Sequence, residues 1–183
     1  MKVYGYCRIS TSKQSMERQI RNIKLAYPDA VIVKETYTGT KIQGRKEFEK
    51  LLKIVSTGDT LVFDSVSRMS RTAQEGYEMY QKLYNQGVSL VFLKEPHINT
   101  STYQQAMENQ LSVNVKTGDQ ASEELLSGIF GALNRYMLNL AKRQIQLAFE
   151  QAEKEVTDLH QRTREGIQTA KLNGKQIGLP CGT

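Results

Sequence analysis

Tyr6, Arg8 and Ser10 alternate along the segment VYGYCRIS. In a strand they share one face, with Ser10 at the carboxyl end. That end is where open parallel sheets build their sites. Ser10 stands where the strand yields to the polar turn Thr11-Ser12-Lys13. A hydroxyl there can serve as a nucleophile, with an arginine two residues away to meet an anion. In isolation, a serine after a strand is usually a turn or cap residue. Ser67-Arg68-Met69-Ser70-Arg71 is the second such feature, following a predicted strand at 60–63. Two arginines three apart at the mouth of the same sheet can converge on the anion that Arg8 faces. A planar guanidinium fork suits a phosphate, and a cluster suits the charge of a phosphoryl-transfer transition state. The plain alternative is a pair of surface arginines.

The elements that must position these residues follow from periodicity. Residues 1–93 alternate strands and helices. Strands are predicted at 3–9, 30–36, 60–63 and 88–93, rich in β-branched and aromatic residues. Met16, Ile20, Ile23 and Tyr27 fall on one helical face, as do Phe48, Leu51, Leu52 and Val55. Thr72 with Glu75 reads as a capping box that opens a helix carrying Met79, Tyr80 and Leu83 inward. Helices between strands imply parallel pairing with crossovers. The expected fold class is α/β, a mainly parallel sheet of four to five strands flanked by helices. Cys7 falls on the face opposite Ser10 and reads as a small core residue.

Beyond Pro96 the character changes. Residues 99–120 are polar and predict one weak helix and a loop. From 122 to 172 apolar residues recur every three or four positions, with no proline until Pro180. Gly128, Gly131 and Gly166 allow one kink. Such a helix outruns the preceding domain, so its stripe, including Phe149 and Val156, asks for a second copy of the chain. The expected organisation is an α/β domain over 1–121, a dimerisation helix over 122–173 and a basic arm over 174–183.

The chain has 183 residues and a net charge of +6. Basic groups concentrate in 1–53 and 135–183, whereas 54–134 is net acidic. Charge at both ends suits an anionic partner, with nucleic acid the commonest. Two cysteines cannot form a disulfide framework, and His97 and His160 lack metal-ligand spacing. No metal and no cofactor is expected, no membrane span is seen, and a cytoplasmic, nucleoid-associated protein is the default.

Several segments together resemble the serine recombinases of the resolvase/invertase type. The opening Tyr6-Cys7-Arg8-Ile9-Ser10-Thr11, with Gln14 and Gln19, is similar to the family motif Y-x-R-[VI]-S-T-x-x-Q-x-x-x-x-Q. Gly39 and Arg45 precede the second helix, and Ser67-Arg68-Met69-Ser70-Arg71 resembles D-R-L-[GS]-R. Arg162-Thr163-Arg164-Glu165-Gly166-Ile167 and Gly174-Lys175-Gln176-Ile177-Gly178 resemble the close of the family's long helix and the arm after it.

The resemblance implies a site-specific DNA recombinase. Ser10 would attack a phosphodiester and become a 5′-phosphoserine, releasing a 3′-hydroxyl. Arg8, Arg68 and Arg71 would bind the scissile phosphate, supported by Arg45 and Gln14, with Tyr6, Gln19 and Ser67 around them. The ester would store the bond energy, so no ATP is required, and no metal ligands are seen. Arg162, Arg164, Lys171 and Lys175 would lie on double-stranded DNA. Homodimers would pair into a tetramer in the synaptic complex. The competing reading is a catalytically silent resolvase-like DNA-binding or dimerisation module. A small-molecule phosphotransferase is a third, unsupported by any P-loop pattern.

Two departures from the family pattern stand out. Ser67 occupies a position where many members carry aspartate, and a serine cannot act as a carboxylate. Residues 97–154 exceed the usual connection to the long helix. No helix-turn-helix pattern follows Gly178, so a catalytic core without its own sequence reader is expected.

Overall fold

In the computed structural model, residues 1–11, 14–39, 41–108 and 118–174 are described. The turn residues Ser12 and Lys13, and the arm from Lys175 onward, lie outside them. Four strands form one sheet: β1 (Val3–Ile9), β2 (Val31–Thr36), β3 (Thr60–Phe63) and β4 (Ser89–Phe92). Their order is β2-β1-β3-β4, and every pair is parallel. The connecting helices are α1 (Glu17–Ala26), α2 (Lys46–Ile54), a single turn α3 (Val66–Met69) and α4 (Ala73–Asn85). A 3-10 turn (Pro96–Ile98) and α5 (Thr100–Glu108) lead to α6 (Gln120–Leu172). The sheet is thus parallel throughout and has four strands, the lower of the expected numbers.

The sheet separates two apolar layers, as alternation along β1 requires. Tyr4 and Tyr6 pack with Leu61, Phe63 and the inner faces of α2 and α4, whereas Cys7 packs with Val62 and Ile23 of α1. The first layer is aromatic. Tyr6 meets Phe48 at 4.7 Å between ring centroids, and Phe63 stacks on Phe92 at 5.3 Å. Phe149 of α6 closes the row, edge-on to Phe92 at 6.3 Å. Gly5 lets α1 approach, because a Cβ there would lie 2.6 Å from the Ile23 side chain.

The long helix is continuous over 53 residues, about 80 Å at 1.5 Å per residue. Gly128, Gly131 and Gly166 do not break it. Asp119 caps it, accepting from the Ser122 amide at 3.0 Å. Its stripe is divided in a way that periodicity did not indicate. Ile145, Ala148, Phe149 and Ala152 are buried against the chain's own domain. Leu125, Ile129, Leu133, Tyr136, Met137 and Leu140 are exposed. Phe149 therefore belongs to the domain core, not to a partner-facing surface.

The predicted capping box at Thr72 does not form. Thr72 makes no side-chain cap, and Glu75 instead accepts the Ile42 amide at 3.1 Å. The open amide of Ala73 is taken by Glu153 of α6 at 2.8 Å. The Thr72 amide donates to Ser70 Oγ at 3.2 Å, and the Glu153 carboxylate ties α6 to the start of α4. Gly76, one turn later, faces Phe149, and a Cβ there would come within 2.3 Å of that ring. Gly76→Val is therefore expected to destabilise the domain by about 1–3 kcal/mol, as overpacking does. Thermal melting of the full chain checks this. An unchanged midpoint would show that the α4–α6 contact is slack.

Candidate active site at the carboxyl edge of the sheet

Arg8 is 1% exposed and Arg45 is 0% exposed. Buried guanidiniums need acceptors, and the turn α3 supplies them. Its last carbonyls have no partner within so short a helix. Arg8 donates from Nη2 to the Ser67 carbonyl at 2.6 Å and from Nε to the Arg68 carbonyl at 3.3 Å. Arg45 donates to the next carbonyl, that of Met69. Three successive orphan acceptors thus hold two arginines from different elements. Gln19 of α1 fixes the backbone of Arg8, pairing with its amide and its carbonyl at 3.1 Å each. Arg45 also lies over the Tyr37 ring, 5.9 Å from its centroid.

Ser10 follows directly on β1. Its amide donates to Gln14 Oε1 at 2.9 Å, and its carbonyl accepts from Thr38 Oγ1 at 2.7 Å. Its hydroxyl oxygen takes a short bond from Arg71 Nη2, while Arg71 Nη1 donates to the Thr38 carbonyl at 3.0 Å. Arg68 reaches across from α3 towards the Arg8 carbonyl, 3.4 Å away. Residues drawn from β1, the loop after β2, and α3 with its exit therefore converge. They line one cavity of about 860 Å³, which is closed on its far side by Val156, Leu159, Arg162 and Thr163 of α6.

The wall around Ser10 has the electrostatics of an anion site, while Glu155 and Asp158 line the cavity from α6. Burial pushes Arg8 below the ordinary arginine range, to about 9, and the charges of Arg45 and Arg71 push the same way. Burial also lowers Arg45, Arg68 and Arg71. Tyr6, beneath them, is raised by desolvation although Arg45 favours its ionised form. Burial raises Cys7 to about 11, with Asp64 next in effect, so this thiol is an inert core group. An oxyanion in the cavity would relieve the mutual repulsion of the arginines.

The structure brings together Tyr6, Arg8, Ser10, Gln14, Gln19, Arg45, Ser67, Arg68 and Arg71. Ser67 enters through its carbonyl, while its hydroxyl lies 3.0 Å from that of Ser65. Arg162 faces the same cavity from α6; Arg164 and Lys171 are exposed on that helix outside it. Lys175 falls outside the described residues. His97 lines a separate apolar cleft with Met137 and Leu140, whereas His160 lies at the rim of the Ser10 cavity. Thr38, Arg18 and Glu35 were not singled out from sequence. Thr38 orients both Ser10 and Arg71. Arg18 lines the cavity. Glu35 is buried and accepts the amides of Glu47 and Phe48, seating α2 beneath Arg45. None of the three carried a specific sequence signal, and the pairing of Glu35 with Arg8 is a matter of sheet register. No group of three potential ligands for a metal occurs among the described residues.

Comparison with known proteins gives the family. The resolvase N-terminal domain model matches residues 3–176, so the chain belongs to the resolvase family. Among its relatives is a resolvase of Clostridium perfringens, 25% identical over 177 residues, covering 96% of this chain and 75% of the relative. The transposon Tn21 resolvase of Escherichia coli is 28% identical over 189 residues, covering 96% and 90%. A resolvase family site-specific recombinase from Streptococcus pneumoniae is a structural neighbour at 24% identity and TM-score 0.44, covering 93% and 99%.

The depressed Arg8 gives a pH test of anion binding. Below about pH 9 Arg8 is charged in the free protein, and phosphate binds a cation already present. Above it, binding must first take up a proton, so affinity falls. Inorganic phosphate is expected to raise the melting temperature at pH 7 and to do so less at about pH 10. An equal rise at both would remove Arg8 from the anion site.

Proposed function

We propose that this chain is a site-specific DNA recombinase that uses Ser10 as its nucleophile. The single observation that carries the reading is the Ser10 hydroxyl held by Arg71 in a cavity that it shares with Arg8 and Arg68. Ser10 Oγ loses its proton and bonds to the scissile phosphorus. The bond from phosphorus to the 3′-oxygen breaks, and that oxygen leaves as a hydroxyl after taking up a proton. The product is a 5′-phosphoserine ester. Reversal by another strand's 3′-hydroxyl reseals the DNA with no external energy source. The arginines stabilise the charge that grows on the non-bridging oxygens. Arg71 touches the nucleophile itself, so it also favours the forming alkoxide. In the relatives named as transposon resolvases the outcome is resolution; for this chain the proposal is the reaction class, strand breakage and rejoining.

The long helix supports the DNA-facing and assembly roles. Arg162 extends the basic cavity along α6, with Arg164 and Lys171 further on. These cations meet phosphates, so binding should be steeply salt-dependent. Towards its other end, the exposed residues from Leu125 to Leu140 recur at steps of three and four. Paired with a second copy they would form a helical seam, and two such dimers would supply the four nucleophiles that exchange of two duplexes requires.

A duplex with a nick next to the cleavage point traps the covalent product. Ser10→Ala should abolish this adduct and leave folding intact. Arg71→Ala and Arg68→Ala should slow its formation by roughly 100- to 1000-fold while weakening DNA binding much less. An adduct on the Ser10→Ala variant would overturn the assignment of the nucleophile. Equal losses of rate and affinity would make the arginines positioning contacts only.

Assembly is tested separately by Leu133→Glu with Leu140→Glu, both on the exposed part of α6. Light scattering should then report a monomer with an unchanged near-ultraviolet spectrum. A dimer that persists would place the interface elsewhere.

A further inference from the structure

Four buried or half-buried carboxylates surround the site's scaffold, and each accepts a backbone amide. Glu35 holds the start of α2, Glu75 the Ile42 amide, Glu95 the start of α3 and Glu153 the start of α4. Asp64 differs from all of these. It lies directly after β3, is 0% exposed, and accepts from the side chain of Asn22 at 2.8 Å through Oδ1. Its other oxygen, Oδ2, has no hydrogen-bond partner. Around that oxygen stand Lys94 Nζ at 3.4 Å and Arg18 Nη2 at 4.0 Å.

A buried carboxylate with an unfilled oxygen costs stability unless cations face it. Two of the cations associated with Asp64 belong to the site cavity. Arg18 and Arg68 both line the space that Ser10 opens into, and Asp64 itself does not. Arg68 lies four residues beyond Asp64, on α3, and its Nε is buried without a hydrogen-bond acceptor. The attraction of Asp64 opposes the desolvation that lowers Arg68. Ser67, meanwhile, brings no carboxylate to the position just before Arg68.

We propose that Asp64 is a positioning residue for DNA cleavage, holding Arg68 and a further phosphate-facing cation, Arg18, from behind the site in place of a carboxylate at position 67. Arg68 is crowded by the other guanidiniums when no phosphate is bound. The buried negative charge of Asp64, between β3 and the α3 turn that carries Arg68, draws it inward. Asp64 never touches DNA, so its effect passes through the two arginines. The proposal rests on the cleavage reading above.

The full chain is assayed on the nicked duplex for adduct rate at saturating protein, for DNA affinity and for melting temperature. The Arg68 Nε–H signal is followed by nuclear magnetic resonance and assigned through Arg68→Lys. Asp64→Asn should bind DNA at least as tightly as the parent, since a negative charge is gone. It should form adduct roughly 10- to 100-fold more slowly, as displaced catalytic groups do, with a broadened Arg68 signal. Ser67→Asp added to Asp64→Asn should return part of the rate, which a purely structural role would not allow. A parent-like rate with an unchanged Arg68 signal would overturn the proposal. So would a rate loss matched by equal losses of affinity and melting temperature. Should Asp64→Asn fail to fold, Asp64→Glu keeps the charge but shifts it by one methylene; slower cleavage at parent-like affinity is then expected, and parent-like cleavage overturns the proposal. No adduct from the parent protein would instead refute the cleavage reading, and the Arg68 signal in Asp64→Asn would still decide the positioning.

Discussion

Two arginines in the interior determine how the rest of this domain is arranged. Arg8 and Arg45 are as buried as the aromatic core beside them, and both donate to backbone carbonyls of α3. Those carbonyls exist as free acceptors because α3 is a single turn whose last groups have no helical partners. The arginines satisfy the turn, and the turn keeps the arginines charged and fixed. A carboxylate in the place of these carbonyls would have neutralised the site. Backbone acceptors hold the guanidiniums in place and leave their net charge for a ligand.

This arrangement explains why the elements around the site are capped from a distance. α2, α3 and α4 all begin near the carboxyl edge of the sheet, and each presents amides that need an acceptor. Glu35, Glu95 and Glu153 provide it from β2, from the segment after β4 and from α6. These three carboxylates thereby serve helix starts, where the dipole favours them. The link from Glu153 to Ala73, together with Phe149 packed over Gly76, makes α6 part of the α/β domain as well as an extension of it.

The same helix joins the candidate site to an exposed apolar face. One stretch seals the aromatic core, the next closes the cavity that contains Ser10, and the earlier stretch from Leu125 to Leu140 presents apolar side chains to solvent. A shift of α6 relative to the sheet would therefore be felt at the site, since Val156, Leu159 and Arg162 form one of its walls. Rigid helices with two packed surfaces are suited to such coupling because close-packed contacts do not deform gradually.

The sequence alone determined the α/β character, the placing of Ser10 beside Arg8, and the continuation into a long helix. These are local matters: a period of two turns Tyr6, Arg8 and Ser10 to one face, and a period near 3.6 marks each buried helical stripe. The family motifs added Gln14, Gln19 and Arg45, which the fold then brought to one edge. Only the tertiary structure decided what each of these residues touches. Thr72 with Glu75 satisfied the local pattern for a cap, yet the Thr72 amide went to Ser70, Glu75 went to Ile42, and the Ala73 amide went to Glu153, eighty positions away in the chain. Periodicity put Phe149 and Leu133 on one apolar stripe, and packing buried the first and exposed the second. Asp64, Thr38 and Arg18 carried no signal because their roles lie in partners from other elements. A hydrophobic pattern states that a face must be covered, and a charged residue that it must be solvated or paired; which neighbour does so is set when the chain closes on itself.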